Sequence, residues 1–308
     1  MIIVFGSLNV DMVMPVMSMP RPGDTVLCSE YKLFPGGKGA NQAVAAARAG
    51  STVKMFGTVG QDDFGRLLCT SLEEAGVDIQ GVKECAEHPT GCAAICVDET
   101  GENMITVASG ANLSARAQDI PEELLTQKTT VILQMEVSEE ENWAIIRRAQ
   151  ERGCRLILNL APAQPVSDEI LRALSVLVVN QIEITVLAVH LGFDVVSPAI
   201  AARRIASTYG ITCVVTLGEE GAIACSPDET WEIEAMTIDA IDTTAAGDSF
   251  VGVLAASLDQ DYPLEIALHR ATVASGLSCL IIGAQPSLPP TAAIDAALAQ
   301  VDFPRKIA

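Results

Sequence analysis

Basic residues are scarce in this 308-residue chain: 19 Lys and Arg stand against 39 Asp and Glu, a formal charge of −20. They form no basic run, so the counterion release that drives nucleic-acid binding has no source, and that class of function is excluded. Histidine is rarer still: His88, His190 and His269 lie far apart, and no HExxH occurs. The nine cysteines include no CxxC pair. Cys92 and Cys96, four apart in a strand-like segment, read as two small buried hydrophobes. A zinc site is therefore not expected, and free thiols fit a reducing cytoplasm.

Long apolar runs are missing too. The N-terminus has no Lys or Arg before Arg21 and meets Asp11 early, so it reads as entering the fold directly, not as a secretory signal. Ala271 to Ile294 carries no Asp, Glu, Lys or Arg, but Gly276, Gly283, Gln285, Pro286, Pro289 and Pro290 interrupt it. Only about Ala271–Ile282 is left for a buried helix, followed by a loop, where a membrane span needs roughly 20 residues. A soluble protein with no membrane partner is expected. Two nucleotide fingerprints are also absent. GxxxxGK[ST] does not occur, and Gln42 stands where the third glycine of GxGxxG would follow Gly37 and Gly39. A dehydrogenase reading loses its support with that glycine.

What is present is ordinary globular composition, 49% hydrophobic and 19% charged, in a chain long enough for one large domain or about two. Five apolar, β-branched runs read as buried strands: Ile2–Phe5, Val131–Leu133, Leu156–Leu158, Val176–Val179 and Cys213–Thr216. Helical segments lie between several of them, including Ala40–Ala49, Glu139–Arg152 and Ala199–Tyr209, followed by Gly50, Gly153 and Gly210 where a C-cap wants glycine. This alternation predicts an α/β fold with a mostly parallel central sheet covered by helices on both faces. Polar residues follow the strands, and ligands of open α/β sheets bind beyond the carboxyl ends of the strands. Any one of these residues is equally a turn former; together they predict one crevice. Residues 13–34 and 90–107, broken by Pro15, Pro20, Pro22, Gly23 and Gly101, read as a small antiparallel β lid over a core of residues 1–12, 35–89 and 108–308. Such a flap can exclude water from the crevice, and its apolar sheet is expected to pair in a homodimer.

Three constellations carry chemistry. Gly36-Gly37-Lys38-Gly39-Ala40-Asn41-Gln42 opens an Ala-rich helix. Its glycines permit close backbone approach, and Lys38 and Asn41 can bond ligand hydroxyls; alone, it is also what a flexible turn with a capping Asn looks like. Asn9 and Asp11, two apart in extended backbone, point to one side and suit neighbouring sugar hydroxyls, or simply form a turn. Asp242-Thr243-Thr244-Ala245-Ala246-Gly247-Asp248-Ser249-Phe250 precedes the helical stretch Val251–Leu258. Small residues at 245–247 leave amides free to converge on a phosphate at a helix start. Asp248 there is either a base for a hydroxyl proton or an ordinary N-cap.

The blocks GSLNVD (6–11), GGKGANQAVAAARAG (36–50), NQIE (180–183), TLGEEG (216–221), DTTAAGDSF (242–250) and GAQPS (283–287) resemble the ribokinase family. That family lies within the wider ribokinase-like (PfkB) group of sugar and nucleoside kinases. The resemblance spans almost the whole chain. It implies an ATP-dependent kinase acting on the primary hydroxyl of D-ribose to give ribose 5-phosphate. Asp248 would be the base, and the backbone of Ala245, Ala246, Gly247 and Asp248 the anion hole for the γ-phosphoryl group. Sugar contacts would fall at Asn9, Asp11, Gly37, Lys38, Asn41 and Glu136. ATP would lie against Asn180, Thr216, Leu217, Gly218, Glu219, Glu220, Gly221, Gly247 and Thr272. Glu183 would organise Mg²⁺ through water. A monovalent cation, K⁺, would map to Asp242, Thr244, Ser278, Ile281, Gly283 and Ser287, several through backbone carbonyls. Ile281-Ile282 are less polar than the residues many of the family carry there. Other substrates remain open, among them 2-deoxyribose, a ketohexose or a nucleoside. So does a non-catalytic sugar-binding protein of the same fold, which would be marked by loss of the base.

Overall fold

The computed structural model describes residues 1–99, 102–193 and 197–307; Gly101, one of the breaks in the expected lid, lies outside them. The chain opens with β1 (Ile2–Phe5), β2 (Asn9–Pro15), β3 (Lys32–Gly36), α1 (Lys38–Arg48), β4 (Val53–Gly60) and α2 (Asp63–Glu74). It continues with β5 (Asp78–Cys85), β6 (Gly91–Val97), β7 (Asn103–Ala108), β8 (Thr130–Gln134), α3 (Glu139–Glu151), β9 (Arg155–Asn159) and α4 (Asp168–Ala173). Then come β10 (Val176–Asn180), α5 (Gln181–His190), α6 (Pro198–Tyr209), β11 (Thr212–Thr216), β12 (Ala222–Cys225) and β13 (Thr230–Ile233). The last are α7 (Ala246–Asp259), α8 (Leu264–Ser278), α9 (Ala284–Ser287), α10 (Thr291–Ala297) and β14 (Arg305–Lys306).

Among the described residues ten strands form one sheet, in the order β14-β13-β12-β11-β10-β9-β8-β1-β4-β5. From β5 to β11 all neighbours are parallel, and β12 to β14 add an antiparallel edge. Alternate side chains of a strand face opposite sides, and here both sides are core. Ile2 and Val4 join Ala43, Val253 and Val273 of α1, α7 and α8, while Ile3 and Phe5 join Ile145, Leu187 and Ile205 of α3, α5 and α6. Burial on two faces is why these strands read as continuous apolar runs. The helices end as expected, with Gly50, Gly153 and Gly210 at φ +94°, +71° and +72°. Ser197 caps α6 through Ile200 N–H, ahead of Pro198.

The charge-free stretch after 271 differs from expectation. Its helix is the end of α8 and stops at Ser278, and the expected loop carries α9 and α10. Gly283, at φ +92°, reverses the chain, and the Pro290 carbonyl starts α10 by accepting from Ala293 and Ile294. Among the described residues no helix is long and apolar enough to cross a membrane.

Four strands form a second sheet, β3-β2-β6-β7. Its two hairpin pairings, β2–β3 and β6–β7, are antiparallel, and they join through a parallel β2–β6 seam. The sheet begins at Asn9, and residues 16–31 contain no strand. Cys92 and Cys96 are half-buried, not buried, because Gly91, Ala93 and Ile95 take the covered side of β6 and the cysteines its opposite side. All nine cysteines are free thiols.

Candidate active site

The parallel strands deliver their polar ends to one edge: Gln134 is level with Asn159, and Asn180 with Thr216. β2 continues the line of β1 into the second sheet, so Asn9 and Asp11 stand over the same edge, 3% and 9% exposed. Asn112 Nδ2 donates to Asn9 Oδ1 at 2.7 Å while Asn112 Oδ1 accepts from Leu8 N–H at 2.9 Å, which sets the orientation of Asn9. Gly37 turns from β3 into α1 at φ +88°, and a Cβ there would lie 2.5 Å from Asn9 N. Only glycine brings the start of α1 this close to β2.

Lys38 and Glu136 meet beside this turn, Nζ 3.6 Å from Oε1. Ser7 Oγ donates to Glu136 Oε2 at 2.7 Å, and Asn9 Nδ2 approaches the same oxygen at 3.4 Å. Burial, followed by the Asp248 and Glu136 charges, pushes the Asp11 carboxyl up to about 7. Burial alone would lower Lys38, but the carboxylates of Asp248, Glu136 and Glu183 outweigh it and hold the ammonium above its usual range.

Asp248 lies in the first turn of α7, 8% exposed. Asn41 Nδ2 donates to its Oδ2 and Gln42 Nε2 to its Oδ1, both at 2.9 Å. Burial raises this carboxyl above its usual range despite Lys38 and the two amides, which favour the charged form. It is a stronger base than a solvated aspartate near 4, and closer to what proton transfer at neutral pH needs. Ahead of it, Ala245 takes the left-handed conformation at φ +61°, a strained choice for a non-glycine residue, costing about 1–2 kcal/mol. Ala246 N–H is spent on Thr243 O at 3.2 Å, whereas Gly247 and Asp248 N–H find no acceptor among the described residues. Apart from its chain neighbours and its own helix backbone, nothing among the described residues lies within 4 Å of the position a Gly247 Cβ would take. Two unpaired amides at a helix start beside a held carboxylate are an arrangement that can seat an anion next to a proton acceptor.

Asp242 ties two loops together: Oδ1 accepts from Thr244 N–H at 2.9 Å and Oδ2 from Gly283 N–H at 2.8 Å. Burial opposes its ionisation, but the bonds from Gly283 and Thr244 hold it below the usual range. Residues 242, 244 and 283 thus converge. The Ser278 and Ser287 hydroxyls donate to carbonyls of their own turns, Ser275 O and Ala284 O, and the Ile281 side chain is half exposed. Asn180 and Glu183 form a capping box at the start of α5. Asn180 Oδ1 accepts from Glu183 N–H and Glu183 Oε2 from Asn180 N–H, each at 2.8 Å, so one Glu183 oxygen stays uncommitted. Leu217 N–H closes the 217–221 turn on Gly221 O at 2.8 Å, with Glu219 and Glu220 exposed on it. Thr272 on α8 is buried, its hydroxyl without a partner among the described residues. Among the described residues no three His, Cys, Asp or Glu side chains converge as a metal cage.

Ser7, Gln42 and Asn112 hold the site but carry no assignment in the sequence reading. Ser7 and Gln42 lie inside motifs that do. Asn112 has no local signal, since its role comes only from the contact with β2.

A doubly covered parallel sheet with an anion-seating helix start and a buried carboxylate at its strand ends belongs to the small-molecule phosphotransferases in design. The match is specific: the model of the pfkB family carbohydrate kinases aligns with residues 1–291, and the chain belongs to that family. It is 33% identical to a ribokinase of Haemophilus influenzae over 93% of this chain and 94% of that one. It is 32% identical to a deoxyribokinase of Salmonella typhi over 94% and 95%. The ribokinase structure from Thermotoga maritima superposes with a TM-score of 0.90 at 33% identity, covering 97% of this chain and 99% of that one. The Arabidopsis thaliana ribokinase, solved with ribose and ATP, gives 0.85 at 26%, covering 96% and 98%.

Proposed function

We propose that this protein phosphorylates the primary hydroxyl of D-ribose with ATP, giving ribose 5-phosphate. The observation that carries the reading is the Asp248 carboxylate held by Asn41 and Gln42 beside the unpaired amides of Gly247 and Asp248. In the reaction the acceptor oxygen bonds to the γ-phosphorus, the bond from that phosphorus to the β,γ-bridging oxygen breaks, and the hydroxyl proton passes to Asp248. Such transfer has a loose transition state, so positioning and charge neutralisation dominate. One well-aimed amide is worth about 3 kcal/mol.

Asn9, Asp11, Lys38, Asn41 and Glu136 would seat the sugar, with the Gly37 backbone as its floor. The Asn41 Oδ1 atom, buried without a protein partner, is an acceptor that a hydroxyl would satisfy. Asn180, Thr216 to Gly221, and Thr272 would line the nucleotide. Mg²⁺ would enter with the phosphates, for it keeps waters and needs only one or two carboxylates; the uncommitted Glu183 oxygen fits that need, and the ion would supply charge neutralisation. K⁺ would sit by the Asp242–Gly283 clasp, among carbonyls near Ser278, Ile281 and Ser287 with Thr244. The second sheet would act as the lid. β7 is exposed along its length, with Met104, Ile105 and Val107 about half exposed; an apolar sheet of this kind favours a homodimer through the lid. The free thiols suit a reducing, cytoplasmic setting.

A coupled assay across ribose, 2-deoxyribose, ketohexoses and nucleosides tests the substrate. Ribose should lead in kcat/KM, and a lead for 2-deoxyribose would move the protein beside its deoxyribokinase relative. Asp248→Asn should abolish turnover while nucleotide still binds; turnover at the parent rate would remove Asp248 from its role. Chelation of Mg²⁺ should likewise stop the reaction.

A further inference from the structure

The geometry points to Gln42 as the residue that positions the base: its side-chain amide fixes the rotation of the Asp248 carboxyl group that receives the acceptor's proton. The inference rests on Asp248 being the base, and it concerns a residue that acts through that carboxyl group.

Gln42 is fully buried. Its Nε2 carries two hydrogens and both are committed, one to Asp248 Oδ1 at 2.9 Å and one to Asn159 Oδ1 at 3.0 Å. Its Oε1 accepts from Gln134 Nε2 at 2.7 Å. Turning the amide over would set Oε1 against two acceptor oxygens and Nε2 against a donor, so a single orientation is allowed.

Asn159 is itself anchored, and Gln134 is confined by packing. Asn159 Nδ2 donates to Val178 O of β10 at 3.3 Å. Gln134 closes β8 with its Oε1 packed on Gly6, where a Cβ would come within 1.8 Å. The carboxyl group of an α7 residue is thereby referenced to the ends of β8 and β9 and to β10, not only to its own helix. Asn41, the preceding residue in α1, holds the other oxygen. With one amide on each oxygen the carboxylate plane cannot rotate, and each oxygen keeps lone pairs for the incoming hydroxyl.

Steady-state kinetics of full-length Gln42→Met, with Gln134→Met and Asp248→Asn alongside, test this. Gln42→Met keeps shape and loses both donors. Its kcat should fall roughly 10- to 100-fold while KM for sugar and ATP stays within about 3-fold. The acid limb of its kcat–pH profile should move to higher pH, since the lost donor favoured the ionised form. Lys38 from α1, Glu136 beyond β8 and Asp11 from β2 also act on this carboxyl, and all three are unchanged in the Gln variants. Gln134→Met, which lets the Gln42 amide turn over, should shift kcat and the limb the same way by a smaller factor. A folded Gln42→Met, verified by its thermal melt, with parental kcat and limb overturns the inference while an inactive Asp248→Asn upholds the base. If Gln42→Met does not fold, parental behaviour of Gln134→Met overturns it instead. Turnover surviving in Asp248→Asn counts against the base, and so against the proposed mechanism itself.

Discussion

Asp11 shows what the crevice costs one residue. Burial with Asp248 and Glu136 nearby raises its carboxyl to about 7 from an ordinary value of 3.8. The folded state therefore binds this proton more tightly than the unfolded chain. Stability is fullest below about 4, falls as pH rises towards 7, and levels off above it. At about 1.4 kcal/mol per pKa unit, the loss is at most roughly 4 kcal/mol. Asp11→Asn should melt higher than the parent at pH 8, with the gap closing as pH falls to 5, while its KM for sugar rises. Melting curves across pH and sugar kinetics check both halves, and a pH-independent gap would detach the effect from this carboxyl. At this scale Asp248, Lys38 and Asn41 were legible because short motifs carry them. Gln42 and Asn112 were not, because their partners come from Gln134, Asn159 and Asn9, which only the folded sheet brings near.

At the scale of elements, α1 carries Asn41 and Gln42 and α7 carries Asp248, so their packing sets the distance across the site. Gly252 is a point of close approach: a Cβ there would lie 2.5 Å from Ala45 Cβ and 2.6 Å from Gln42 O. Gly252→Ala should cost about 1–3 kcal/mol through overpacking and lower kcat by separating the two helices. Gly247→Ala is the contrast. Its Cβ would meet nothing beyond its own helix and chain neighbours and alanine is the better helix former by about 1 kcal/mol, so the melting temperature should hold or rise. Its kcat should fall, because the methyl intrudes where the phosphoryl group would lie. Thermal melts and kinetics on the pair separate packing from chemistry. The strands were readable because each buries both faces, and the helices because glycines end them. The turn to α9 and α10 was not, since Gly283 and the prolines that read as a loop are also what starts those two short helices.

Across the whole molecule, charge and catalysis oppose one another. A protein of formal charge −20 repels a polyanionic nucleotide at long range, and salt shortens that range from about 30 Å at 0.01 M to about 8 Å at 0.15 M. KM for ATP should therefore fall as ionic strength rises over that interval, with kcat little changed. Titration with a neutral-pH salt that leaves Mg²⁺ and K⁺ constant would measure it, and a rising KM would show that local attraction governs encounter.

The site is also divided between two bodies. Asn9 and Asp11 ride on the four-stranded sheet, whereas Asp248 and the amides of α7 ride on the ten-stranded one, and the chain crosses between the two after β1, β3, β5 and β7. A substrate that touches both sheets stitches them together. A water molecule is too small to touch both, so on the proposed reading the division would spare the nucleotide idle hydrolysis until the sugar is seated.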